Sequence, residues 1–207
     1  MIAAIIDIVA SRDIDTSKRK EMDENIRLLL DNAYRRFNQY CVAYPSLTQG
    51  DSIELLVNSW QPIVFLFHNL LMRELSFRVG LGTGKIVIKK ENADECDGPA
   101  FWNAREALDE IKQMKYMARS ADFRIGKESS DEEINMVTVS ALWLTTLLSL
   151  TSTQLEHCYY FIWEDNGISE IADIVGTSKA NVSSSLGKTP CYLLKRIMTF
   201  LNKQNQQ

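Results

Sequence analysis

The stretch Ile168–Lys188, ISEIADIVGTSKANVSSSLGK, constrains this chain more tightly than any other. Two short helices that cross closely around a tight turn need a small residue midway along the first. They also need a glycine four positions later to take a positive φ, and a β-branched apolar residue in the second to close a small core. Ala172, Gly176 and Val182 stand at those spacings, Ile171 and Val175 add apolar support, and Asn166-Gly167 marks a turn before them. The spacing therefore predicts a helix-turn-helix over 168–188, its second helix running from Lys179 to about Gly187. That helix would present Lys179, Asn181, Ser183, Ser184 and Lys188, side chains that reach phosphates and base edges in a major groove. The usual apolar position late in the second helix falls on Ser185, with Leu186 one place after it.

The charge distribution points the same way. Net charge is −4, which is not that of a strongly basic nucleic-acid binder. From Val175 onward, however, the chain carries five Lys or Arg and no acid. Lys195 and Arg196 on the following helix are placed to grip a backbone. DNA is the expected partner, and a homodimer is expected too, because operator recognition usually doubles one module about a two-fold axis.

Upstream, IAAIIDIV (2–9) reads as a strand buried on both faces. Helical spacing then runs to about Tyr40, and a hairpin is expected around Gly50-Asp51. A helix starts at Ser59 and Pro62 and runs to about Leu75. Residues 76–89 read as one or two strands bent at Gly80, Gly82 and Gly84, followed by a helix over 99–116 and a short strand near 123–125. The polar segment GKESSDEE (126–133) reads as a linker to a long apolar helix and three shorter ones. The order predicts an α+β domain over 1–125 and an all-α domain over 131–207.

Several classes are excluded by composition. With 45% apolar residues, 9 Gly and 4 Pro, the chain is neither collagen-like nor disordered. Four scattered cysteines and two histidines give no zinc framework, so free thiols in a reducing cytoplasm are expected. The apolar start is broken by Asp7 without a basic region before it, unlike a signal peptide. The uncharged run Ile134–Leu155 has 10 Ser, Thr, Asn or Gln in 22 residues, which favours a buried helix over a membrane span. The glycines at 80, 82 and 84 do not make a dinucleotide fingerprint, and GTGK lacks the upstream glycine of a P-loop.

One constellation upstream carries possible chemistry. Asp7 ends the first strand and Asp51 sits at the hairpin turn, so neighbouring strands would bring both carboxylates to one sheet edge. Two such groups suit Mg²⁺ or Mn²⁺ that also holds nucleotide phosphates. Ser11 and Arg12 precede a helix N-terminus, a natural seat for an anion. The plain alternative is a pair of ordinary turn carboxylates.

The series DIVASR (7–12), QGDSIELL (49–56), RVGLGTGKI (78–86), DGPAFWNAREAL (97–108) and LTSTQLE (150–156), followed by the helix-turn-helix, resembles the SatD family over nearly the whole chain. That resemblance implies an N-terminal ferredoxin-like palm similar to class III nucleotide cyclases and GGDEF-type domains. It also implies a C-terminal unit similar to LuxR or sigma-region-4 helix-turn-helix units. It would make Asp7 and Asp51 metal ligands and Arg105 the phosphate-contacting arginine. The chain departs from cyclases at Phe101, where they place Asn, at Leu47, where they place Lys, and at Ser52, where many have Glu. Loss of that asparagine removes a transition-state hydrogen bond, a type of loss costing ~10²–10³ in rate. The expected function is a DNA-binding transcriptional regulator whose N-terminal domain binds a nucleotide or phosphate. The alternatives are a metal-dependent nucleotide cyclase or nucleotidyltransferase and a non-catalytic partner-binding scaffold.

Overall fold

A computed structural model describes residues 1–9, 16–48, 52–114 and 120–204. It divides into two units, Met1–Leu148 and Ser149–Gln207. The first contains strands β1 (Ile2–Ile8), β2 (Ser46–Leu47), β3 (Ser52–Val57), β4 (Phe77–Thr83) and β5 (Ser120–Arg124). Its helices are α1 (Thr16–Phe37), α2 (Gln61–Met72), α3 (Pro99–Gln113) and α4 (Asp131–Leu148).

β1 is apolar on both faces and takes the centre of a five-stranded sheet ordered β2-β3-β1-β4-β5. All neighbours are antiparallel except β4 and β5, which run parallel on either side of the α3 crossover. Side chains alternate across a strand, so Ile2, Ala4, Ile6 and Ile8 share one face while Ala3, Ile5 and Asp7 share the other. On the first face Phe67 of α2 stacks on Phe77 of β4 with ring centroids 6.0 Å apart. Phe37 of α1 meets Phe65 of α2 edge-on at 5.3 Å. α2 is buried on every side from Gln61 to Leu71, which accounts for its almost unbroken apolar sequence. Pro62 sits in its first turn, where a missing N–H costs nothing. Ser59, expected at that helix start, makes no side-chain cap.

The opposite face is covered by α3, and Gly80 and Gly82 make this possible. A Cβ at Gly80 would lie 1.9 Å from the Ala104 carbonyl oxygen, and one at Gly82 would lie 2.1 Å from that of Ala100. These glycines are not a bend, as the sequence suggested. They lie inside one continuous strand and form the seat on which Ala100, Ala104 and Leu108 rest.

The expected linker is also revised. Ser130 and Glu133 form a reciprocal cap at the start of α4: the Ser130 N–H donates to Glu133 Oε2 at 2.8 Å, and the Glu133 N–H donates to Ser130 Oγ at 3.2 Å. α4 then packs into the first unit, with Trp143 meeting Trp60 at 5.1 Å and Val137, Leu144 and Leu147 buried. The division therefore falls after Leu148 rather than within 126–133, and α4 lies outside the all-helical unit.

The second unit holds α5 (Ser152–Trp163), α6 (Ile168–Val175), α7 (Lys179–Gly187) and α8 (Cys191–Gln204). A Thr151/Gln154 capping box starts α5. Cys158 and Cys191 are joined in a disulfide, in place of the free thiols expected from sequence. Among the described residues no helix is long and apolar enough to cross a membrane.

Candidate functional site

In the second unit, Gly176 closes α6 in the left-handed conformation, φ 67° and ψ 40°, and its N–H returns to the Ala172 carbonyl. The Ser178 hydroxyl then caps α7 by accepting from the Asn181 N–H at 3.2 Å. Ile171, Ala172, Val182 and Leu186 are buried and form the small core between the helices. Leu186 fills the position that the spacing put at Ser185. The chain is rotated by one residue there, and the half-buried Ser185 hydroxyl is left without a partner among the described residues.

With two anchors turned inward, the rest of α7 faces out. Lys179, Asn181, Ser183, Ser184 and Lys188 are all exposed. Asn181 is oriented by donating from Nδ2 to Thr177 Oγ1 at 2.8 Å. No acidic side chain lies anywhere on α7. Lys195 of α8, expected to grip a backbone, is instead engaged: its Nζ lies 2.5 Å from Asp165 Oδ1 and 4.1 Å from the Phe161 ring centroid. That ammonium holds the Asp165 carboxyl below its usual range. Arg196 remains exposed.

In the first unit, Asp7 faces α3, and Lys112 Nζ lies 3.1 Å from its Oδ1. Ser52 and Arg78 stand opposite Asp7 on its two neighbouring strands. A divalent ion at this carboxylate would have to displace a lysine while adjacent to an arginine position, so the described surroundings do not fit one. Asp51, Ser11 and Arg12 lie outside the described residues. Among the described residues no three His, Cys, Asp or Glu side chains gather to hold a metal.

Arg105, the phosphate-contacting residue implied by the resemblance, points to Glu54 on β3 with Nη2 3.7 Å from Oε1. Burial raises the Glu54 carboxyl above the usual range; Arg105 opposes that shift and Asp94 adds to it. On the other flank of α3, Arg124 of β5 pairs with Glu106 and Glu110. The charges of α3 are thus largely spent on the sheet beneath it.

Sequence reasoning missed a cleft of about 350 Å³ at the β2 edge, lined by Arg27, Tyr44, Ser46, Asn92 and Asp94 over apolar Leu30, Pro45 and Leu47. Its residues come from three separated segments, so no local motif announces it. Of the two histidines, His157 is buried without a partner for Nδ1 among the described residues, and burial lowers its pKa while Glu156 opposes the shift. Among the described residues neither histidine stands in a metal-ligand cluster.

A mixed five-stranded sheet covered by helices, followed by an all-helical unit, defines an α+β protein. The chain belongs to the SatD family, whose model matches residues 1–191, from the first residue to the start of α8. No curated protein matches it.

Proposed function

We propose that this protein is a DNA-binding regulator in which α6 and α7 form a helix-turn-helix and α7 reads the duplex. The observation that carries this reading is that α7 holds no acid and exposes Lys179, Asn181, Ser183 and Ser184, with Lys188 exposed at its C-cap. Two buried anchors, Val182 and Leu186, fix the helix from behind and leave those side chains free for phosphates and base edges. A homodimer would present two such helices to a two-fold operator.

The first unit, in this reading, is a ferredoxin-like, cyclase-related palm that binds a nucleotide or phosphate without converting it. Its strand order and directions support that topology. The Lys112–Asp7 and Arg105–Glu54 pairs support a reading without turnover, because Asp7 and Arg105, which a cyclase would turn to metal and phosphate, are each paired with a side chain of the same unit. The β2-edge cleft offers Arg27 to an anionic group and Ser46 and Asn92 as further polar partners.

A short mixed-sequence duplex tests the DNA reading by fluorescence polarisation over a salt series. Affinity should fall linearly on a log–log plot as salt rises. Absence of binding at low salt would refute the proposal. In the same preparation, nucleoside triphosphate with Mg²⁺ or Mn²⁺ should raise the melting temperature and yield no cyclic product.

A further inference from the structure

Cys158 lies in the middle of α5 and Cys191 is the first residue of α8; both are fully buried. Their Cα atoms are 5.7 Å apart, inside the usual disulfide span, and the bond closes a sequence separation of 33. That closed segment contains all of α6, the Gly176 turn and α7. A cross-link over a segment of this length removes much of the freedom of the opened chain. The unit it staples has little core of its own beyond the buried residues of these four helices.

The remaining cysteines are poor competitors for exchange. Burial pushes the Cys41 thiol up to about 11, leaving little thiolate at neutral pH. The buried Cys96 sulfur is engaged with the Lys90 and Asn92 backbone. Cys191 opens α8 with its sulfur bonded to that of Cys158, and Thr189 Oγ1 lies 2.9 Å from it.

We propose that Cys158 and Cys191 form a reversible thiol–disulfide site that sets whether α7 is held in its duplex-binding arrangement, with a low-molecular-weight disulfide as co-reactant. In the oxidising direction the Cys191 thiolate attacks one sulfur of the external disulfide and releases one thiolate. The Cys158 thiolate then attacks the Cys191 sulfur of the mixed disulfide and releases the second. Two protein thiols lose two electrons and two protons, and the external disulfide becomes two thiols. Because both sulfurs are buried, exchange requires local opening of α8. The bonded state is the one in which α7 stands presented, so the oxidised protein is the duplex-binding form. This coupling rests on the DNA reading above, whereas formation of the bond does not.

The full chain is equilibrated in oxidised and reduced glutathione mixtures and followed by three readouts: thiol alkylation with peptide mass analysis, thermal melting, and binding to the mixed-sequence duplex. The expected result is a cross-linked 158/191 peptide pair under oxidising conditions. Reduction should lower the melting temperature of one transition by on the order of 10 °C and weaken duplex binding about tenfold or more. Cys158→Ser with Cys191→Ser should abolish both responses; if that double variant fails to fold, single Cys191→Ala and the wild type under reduction supply the same comparison. No 158/191 cross-link, or a cross-link that leaves melting and binding unchanged, would overturn the inference. A cross-link and a melting shift with no duplex binding in either state would sink the DNA reading and its redox coupling, and would uphold the bond alone.

Discussion

Gly80 and Gly82 show how much of this fold turns on single atoms. Gly80→Ala should destabilise the protein by about 3 kcal/mol in urea titration, because the new methyl meets the backbone of α3 rather than a side chain that can move. Glu54 makes a different prediction. Its folded-state pKa is raised, so its contribution to stability is complete below the unfolded value and is lost as pH rises through the folded one. Glu54→Gln should therefore gain melting temperature relative to wild type between pH 4 and pH 8, and a constant difference across that range would contradict the assignment. At this scale the sequence was legible where chemistry is local. The positive φ of Gly176 and the burial of Ala172 and Val182 follow from spacing alone. The partners of Asp7 and Arg105 were not legible. Each depends on where α3 lies across the sheet, and that is decided by two glycines far from either residue in sequence.

Among the elements, α7 is held at its start by a side-chain cap and at its back by two apolar anchors. Ser178→Ala should cost about 1 kcal/mol of stability, read as a lower melting temperature of the second unit's transition. Lys179→Ala combined with Lys188→Ala should leave the fold intact and flatten the log–log salt dependence of duplex binding by about two. An unchanged slope would remove α7 as the reading element. In sequence the polar run before α4 reads as a linker, which would place α4 in the all-helical unit rather than the first. Its Ser130-x-x-Glu133 pattern was in fact a helix start, and its apolar face had no partner in sequence order that could identify where it docks. The strands were readable as apolar runs, but β1 pairs with β3 and β4, neither of which follows it directly in strand order, and no local pattern encodes that choice.

For the whole molecule, two compact units with separate cores should melt as two transitions in calorimetry. Reduction should shift only the one belonging to 149–207, since its disulfide is internal to that unit. The chain's overall acidity conceals a local contrast: from Val175 onward there are five Lys or Arg and no acid, and averaging over the sequence hides that run. The glycine seat under α3 carries one more implication. A helix lowered onto bare backbone at two successive inward positions cannot creep along the strand, as helices resting on flexible side chains can, because any offset drives its main chain into the next Cβ. Any displacement passed through this half of the protein has to travel by tilting strand and helix as one rigid slab, or around them through the loops. The amides of β4 should accordingly be among the last to exchange with heavy water.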